Sequence, residues 1–290
     1  MTDSSTTGLQ VEQQAGQQVD QPAGQRPGQR PGGRRSAALV TGGGRRIGRA
    51  IALALAHDGW DVAVHCRSAT PEAQDTVAAI LACGRRAALL ECDLADEAAV
   101  RVLLGHAIDA LGPISCVVNN ASMFAYDSAA DFSPALLAAH MQANVSAPIL
   151  LAQALYAATP ADGQAVVINL LDQKLANLNP DFLSYTLSKA ALQSATTMLA
   201  QALAPRVRVV GLAPGLTMLS GAQSDAGFAS AHRATPLGSS STPQDVADAA
   251  CYLARARAIT GTTLLVDGGQ HLMPLGRDIM FLTNDSPPIN

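Results

Sequence analysis

A doubly wound α/β domain built on a parallel, seven-stranded sheet is the fold this sequence predicts. Three observations carry the prediction. Short continuous apolar runs alternate with longer Ala- and Leu-rich stretches, as buried parallel strands alternate with the helices that cover them. A glycine-rich turn follows the first apolar run and leads straight into a helical stretch, giving strand, turn, helix, strand. The composition suits a large core, with 48% of the 290 residues hydrophobic and 14% charged. The expectation is a single domain over residues 35–275, with right-handed crossovers and a ligand at the carboxyl ends of the strands.

Residues 1–34 are rich in Gln, Gly, Pro, Ser and Thr, hold almost no large apolar residues and are expected to be a disordered tail. Arg26, Arg30, Arg34 and Arg35 could make that tail an arm for an anionic surface, but Asp3, Glu12 and Asp20 offset them. The first strand is Ala37–Val40. It runs into T-G-G-G-R-R-I-G and a helix over Arg49–His57 that stops at Asp58-Gly59. Trp60–Cys66 is the second strand. Thr70-Pro71 opens a helix that reaches Ala82 and stops at Gly84. Ala87–Cys92, a helix over Ala98–Ala110 and the strand Ser115–Asn119 follow. Ser133–Leu155 reads as largely helical despite Pro148, Gln164–Leu171 as the fifth strand, and Leu183–Leu203 as a long helix. Val207–Leu212 ends at Ala213-Pro214-Gly215. A mobile helical segment over Ala222–Ala234 leads to a Thr-capped helix over Thr242–Ala256 and the last strand, Thr262–Val266. Residues 276–290 are expected to be a C-terminal tail, in which Arg277 and Phe281 reach a neighbouring site in a tetramer, pack locally or fray.

Net charge is −4, which gives no basic signature for nucleic acid. No apolar run has the length of a membrane span and no secretory signal is visible, so a cytoplasmic protein without membrane contact is expected. The five cysteines form no C-x-x-C pair, and they are expected to be free, buried thiols in a reducing compartment with no metal.

The chemistry-bearing residues gather at the predicted strand ends. Glycines in Thr41–Gly48 let backbone N–H groups approach a pyrophosphate, whose charge the helix dipole favours. The turn follows the first strand directly, which points to a dinucleotide rather than an empty turn. A carboxylate at the end of the second strand would favour NAD. Here the sequence is V-H-C-R-S-A, with Arg67 and Ser68 at that position and Arg45 and Arg46 in the turn itself. Guanidinium forks suit a phosphate dianion, so the expected cofactor is NADPH/NADP+. Asp93 could accept from an adenine amino group or cap the next segment, and Leu94 follows it. The amides of Asn119-Asn120-Ala121 could fix backbone around a cofactor. Asn144 could hold a water near Lys189 or be an exposed helical Asn. Tyr185 and Lys189 lie four apart, on one helix face. An ammonium beside a phenol is expected to lower the phenol pKa and make it a workable acid. A surface polar pair has the same spacing.

Taken in order, T-G-x-x-x-x-I-G, D-L, N-N-A, the helical Asn, Y-x-x-x-K, P-G and the closing V-D-G-G resemble the short-chain dehydrogenase/reductase family. The resemblance covers nearly the whole chain after residue 36. It implies a Rossmann-type single domain, a homotetramer and a reductase of a small-molecule substrate. By the resemblance Tyr185 is the proton donor, Lys189 holds the ribose and lowers the Tyr pKa, and Asn144 supports a water relay. The matching cofactor positions are Thr41, Gly42, Arg45, Arg46, Ile47, Gly48, Arg67, Ser68, Asp93, Leu94, Asn120, Ala121, Ser122, Tyr185, Lys189, Pro214, Gly215 and Thr217.

Two departures sharpen the expectation. Arg46 stands where most members have a third glycine, and Asp172 stands thirteen residues before Tyr185, where most have Ser. Both look like the pteridine reductase branch, as do H-C-R-S-A and N-N-A-S-M-F. That likeness makes Phe124 the aromatic stacked on a pterin, and Ser122 a hydroxyl near nicotinamide and substrate. It puts Asp172 beside Tyr185 in proton delivery. The bland alternatives are a core aromatic for Phe124 and a helix cap or surface carboxylate for Asp172. Thr217–Thr235 is expected to be a substrate lid. Two other functions stay open. One is a carbonyl or 3-oxoacyl reductase of the same family. The other is an NADP-binding sensor without turnover.

Overall fold

The protein is described here by a computed structural model that covers residues 36–219 and 224–281. The expected tail over 1–34 lies outside the described residues. Seven strands form one parallel sheet: β1 (Ala37–Val40), β2 (Asp61–Cys66), β3 (Ala87–Glu91), β4 (Ile114–Asn119), β5 (Ala165–Leu170), β6 (Val207–Pro214) and β7 (Thr263–Val266). Their order across the sheet is β3-β2-β1-β4-β5-β6-β7. The order reverses between β1 and β4, and there the carboxyl ends open a crevice.

The helices are α1 (Arg46–His57), α2 (Pro71–Ala82), α3 (Glu97–Leu111), α4 (Pro134–Met141), α5 (Ala147–Ala158), α6 (Leu183–Leu203), α7 (Asp225–Arg233) and α8 (Pro243–Arg255). On one sheet face Ile51 and Leu55 of α1, Ile80 of α2 and Val246 and Leu253 of α8 pack against Val40, Val64 and Ile168. On the other, Leu103 and Leu104 of α3, Leu151 and Leu155 of α5 and Ala200 of α6 pack against Leu39, Val117 and Val209. Both faces are covered, so the strands are largely apolar, with Asp61, His65, Asn119, Asn169 and Arg208 among the buried polar exceptions. Each fully buried Leu or Ile contributes roughly 1.5–3 kcal/mol by leaving water.

Side-chain caps set several helix starts. Thr70 accepts from the Ala73 N–H, Asp96 from those of Ala98 and Ala99, and Ser133 from that of Leu136. Thr242 and Asp245 form a reciprocal capping box at α8.

At four points the structure revises or sharpens the expectation. First, α1 starts at Arg46, three residues before the predicted Arg49, because the end of the glycine turn is already its first helical turn. Second, the stretch over 133–155 is helical as expected, and α4 runs into α5 without a break through one π-helical turn over Gln142–Ser146. Pro148 lies two residues past that π-helical turn, where the regular i→i−4 ladder is already interrupted. By length and composition Pro134–Ala158 would suffice to cross a membrane, contrary to the sequence reading, yet it carries Leu151 and Leu155 into the core. Third, Cys66 and Cys83 are only partly buried, although all five thiols are free. Fourth, Arg277–Phe281 packs locally, one of the readings left open, and lies against the domain through Asp181 and Phe182.

Candidate active site

The glycine turn is held from three sides. Gly42 sits at φ 61, in the left-handed region that glycine tolerates. A Cβ on Gly48 would lie 2.1 Å from the Gly42 carbonyl oxygen, so only glycine fits there. Thr41 Oγ1 accepts the N–H groups of Asn120 and Ala121, both at 3.0 Å, and the Asn120 amide donates to the carbonyls of Thr41 and Gly42. The turn is therefore locked to the end of β4 before any ligand arrives. His65 adds a link the sequence reading missed. Its Nδ1 accepts from the Gly42 N–H at 3.2 Å, which leaves Nε2 to donate to the Cys92 carbonyl at 2.9 Å. Burial lowers its pKa, so the ring stays neutral in this role.

Arg46 follows at φ 53, a strained position for a residue with a side chain. Its guanidinium donates to the Leu219 carbonyl at 2.8 Å, tying the turn to the segment after β6. Arg45 is exposed, and α1 opens with no side-chain cap. Its first N–H groups thus face an open edge suited to an anion. Arg67 and Ser68 are exposed at the end of β2. Glu91 also comes within reach, accepting the Ala69 N–H at 2.9 Å, and nothing in the linear sequence placed a carboxylate there. Asp93 is exposed and one of its oxygens caps the Ala95 N–H, while Leu94 is buried. Beyond β6, Thr217 donates to the Gly215 carbonyl and shares a hydrogen bond with Ser241 at 2.7 Å. Pro214 lies in the same partly buried turn.

The residues expected to do acid–base work come together. The Tyr185 hydroxyl donates to Asp172 Oδ2 at 2.8 Å, and Asp172 Oδ1 accepts the Lys174 N–H at 2.9 Å. Lys189 Nζ donates to the Leu170 carbonyl at 2.7 Å and lies 5.7 Å from the Tyr185 ring centre. Burial raises the Asp172 carboxyl above its usual range, although the Lys174 N–H and the Tyr185 hydroxyl oppose this. The phenol moves opposite to the sequence expectation. Burial, then the charge of Asp172 and its hydrogen bond, push Tyr185 well above 10. The lysine was expected to set that pKa, but its ammonium points at a backbone carbonyl while the phenol faces a carboxylate. Burial brings Lys189 itself down to about 8, against the attraction of Asp172.

Asn144 is buried inside the π-helical turn, not exposed on a regular helix. Its amide donates to the Met123 carbonyl and to Ser188 Oγ, and its oxygen accepts from the Met123 N–H and from Ser122 Oγ. All its donors and lone pairs are engaged by protein. It clamps the loop after β4 to α6. Phe124, on that loop, stands edge-on to Tyr185 at 4.7 Å and stacks on Phe182 at 4.4 Å. It remains 45% exposed, so one ring face is covered and the other is available.

Known proteins give this arrangement its context. Residues 43–271 match the family described as enoyl-(acyl carrier protein) reductase. The chain belongs to the short-chain dehydrogenase/reductase family. An NADP complex of FolM alternative dihydrofolate reductase 1 from Brucella canis is 39% identical, with a TM-score of 0.77, covering 82% of this chain and 95% of that one. An uncharacterised oxidoreductase of Mycobacterium tuberculosis is 37% identical over 247 residues, 80% of this chain and 90% of its own length. A dihydromonapterin reductase of Escherichia coli is 29% identical over 237 residues, 81% of this chain and 96% of its own. As a member of this family the protein is an NADP-dependent oxidoreductase. The uncapped start of α1 and the exposed Arg45 and Arg67 fit the pyrophosphate and a 2′-phosphate.

Besides His65 and Glu91, sequence reasoning missed four residues at this site: Tyr126, Lys174, Asp181 and Phe182. Their only signal was proximity in sequence to Phe124 or Asp172. Phe182, at φ 54, is a left-handed residue that no pattern in the sequence reveals.

Proposed function

We propose that this oxidoreductase reduces the ring of a dihydropterin or dihydrofolate-like substrate. The observation that carries the reading is the 2.8 Å hydrogen bond from the Tyr185 hydroxyl to Asp172. Reducing a ring C=N bond requires a hydride at carbon and a proton at nitrogen. NADPH, when bound, supplies the hydride. Tyr185 stays protonated across the neutral range and passes its proton to the ring nitrogen. Asp172, whose carboxyl holds a proton more readily than an ordinary Asp, accepts from the phenol and resupplies it. Lys189 orients the ribose. Asn144 acts as a positioning residue, holding the loop that carries Ser122 and Phe124. The open face of Phe124 stacks on the flat substrate. The resemblance to FolM and to dihydromonapterin reductase supports the same substrate class. A homotetramer working in the cytoplasm completes the reading, and light scattering on the purified protein tests its assembly.

The activity is tested by mixing purified protein with NADPH and, separately, 7,8-dihydrobiopterin, dihydromonapterin, dihydrofolate and a panel of simple ketones and 3-oxoacyl thioesters. Loss of NADPH absorbance with a pterin or folate, at rates well above those with ketones, is expected. Turnover of ketones or thioesters alone would replace this reading with carbonyl reduction.

A further inference from the structure

The chain has five Phe, four Tyr and one Trp. Five of these ten aromatics meet at one place: Phe124, Tyr126, Phe182, Tyr185 and Phe281. Phe182 stacks on Phe124 at 4.4 Å and 20°, and on Phe281 at 5.9 Å and 15°. Tyr126 stands edge-on to both Phe182 and Phe281. Phe281 comes from the C-terminal segment, nearly a hundred residues beyond Phe182 in the chain.

The same segment is fastened by charge. Buried Asp181 accepts Arg277 Nε and Nη2, each at 2.8 Å, and the Asp278 N–H at 2.8 Å. This two-pronged arginine contact fixes direction as well as distance. Buried Lys174 donates to the Asp181 carbonyl at 2.6 Å and to Asp278 Oδ2 at 3.1 Å. The N–H of the same Lys174 donates to Asp172. Two chains of contact thus run from the segment to the reacting groups. One passes through Lys174 to Asp172. The other passes through Phe182 to Phe124 and into the first turn of α6, which carries Tyr185.

We propose that Arg277 to Phe281 is a latch belonging to this chain's own active site, with Arg277 and Asp278 as positioning residues. They hold the Asp172 turn and the Phe124–Phe182 stack in register with Tyr185. Phe182 adopts a left-handed backbone that side chains disfavour, so something must hold it. The Asp181 ion pair on one side and the ring stack on the other do so. The latch orients the substrate's ring against Tyr185, and the hydrogen bonds and ring contacts that fasten it go to Lys174, Asp181, Phe182 and Tyr126 and not to the cofactor turn that follows β1. Its effect therefore falls on substrate KM, on turnover and on local order, and not on NADPH binding.

The experiment compares wild type, Arg277→Ala, Arg277→Lys and Asp278→Asn, each with NADP+ bound, by amide hydrogen exchange. The expected result for Arg277→Ala is faster exchange over residues 172–186, with residues 165–170 in β5 unchanged, and partial recovery in Arg277→Lys. On the proposed pterin substrate, KM should rise about tenfold as the Phe124–Phe182 stack loosens, while the KM for NADPH holds. Unchanged exchange over 172–186 in Arg277→Ala overturns the latch. Equally faster exchange across the whole sheet also overturns it, since that marks general destabilisation. The KM measurement rests on the proposed activity and the exchange measurement does not. If wild type reduces no pterin, the substrate reading fails and exchange alone decides the latch.

Discussion

Tyr185 and Asp172 share one short hydrogen bond, 2.8 Å from phenol oxygen to carboxyl oxygen, and the other carboxyl oxygen is held by the Lys174 N–H. The carboxyl is thus fixed at both ends, and both groups are driven toward their protonated forms by burial. Such a pair can deliver a proton but is poorly suited to accept one.

Asp172→Asn should keep the fold and lower pterin turnover by about 10²-fold or more, the scale of a lost proton relay. Tyr185→Phe should do the same. Steady-state NADPH oxidation reads both. Turnover within about threefold of wild type in Asp172→Asn would remove the carboxyl from proton delivery.

Lys189 is buried and its pKa falls from 10.5 to about 8. Between those values the unfolded chain binds a proton that the folded chain does not, so this group's contribution to stability rises with pH across that window. At neutral pH the burial costs about 3 kcal/mol. Lys189→Met should therefore lose activity yet gain stability at pH 7, and the gain should shrink toward pH 10. Urea unfolding at the two pH values reads this, and a gap that stays constant would rule out burial as the cause.

Arg67→Asp should raise the KM for NADPH about 10- to 100-fold, the loss of a charge-assisted bond to phosphate. The KM for NADH should hold or fall. Equal effects on both cofactors would mean that Arg67 does not contact the 2′-phosphate.

Arg46→Ala and Arg46→Gly both remove the tether to Leu219 and should weaken NADPH binding alike. Only glycine relieves the φ of 53. Arg46→Gly should be more stable than Arg46→Ala by about 1 kcal/mol in urea unfolding. The reverse order would show that the backbone there is unstrained.

Phe124→Ala should raise pterin KM by roughly 2- to 13-fold, the worth of one aromatic pair, with NADPH KM unchanged. A change in NADPH KM alone would place Phe124 against the cofactor instead.

The sequence determined the fold by itself. All seven strands, the glycine turn, and the Thr70 and Thr242 caps follow from local pattern and period, because a parallel strand covered on both faces must be largely apolar and a helix start must satisfy its own N–H groups. Tyr185, Lys189 and Asp172 were legible too, since spacing along one helix and position after one strand are linear facts. Only the tertiary structure decided their chemistry. Whether the phenol pKa falls or rises depends on which charge lies nearest in space, and the chain turns Asp172, not Lys189, toward the hydroxyl. It also decided that Asn144 lies in a π-helical turn with every bond filled, and that Phe281 and Arg277 return to Phe182 and Asp181. Such contacts join residues up to about a hundred positions apart. Local pattern holds no record of them, because they are set by where whole elements pack.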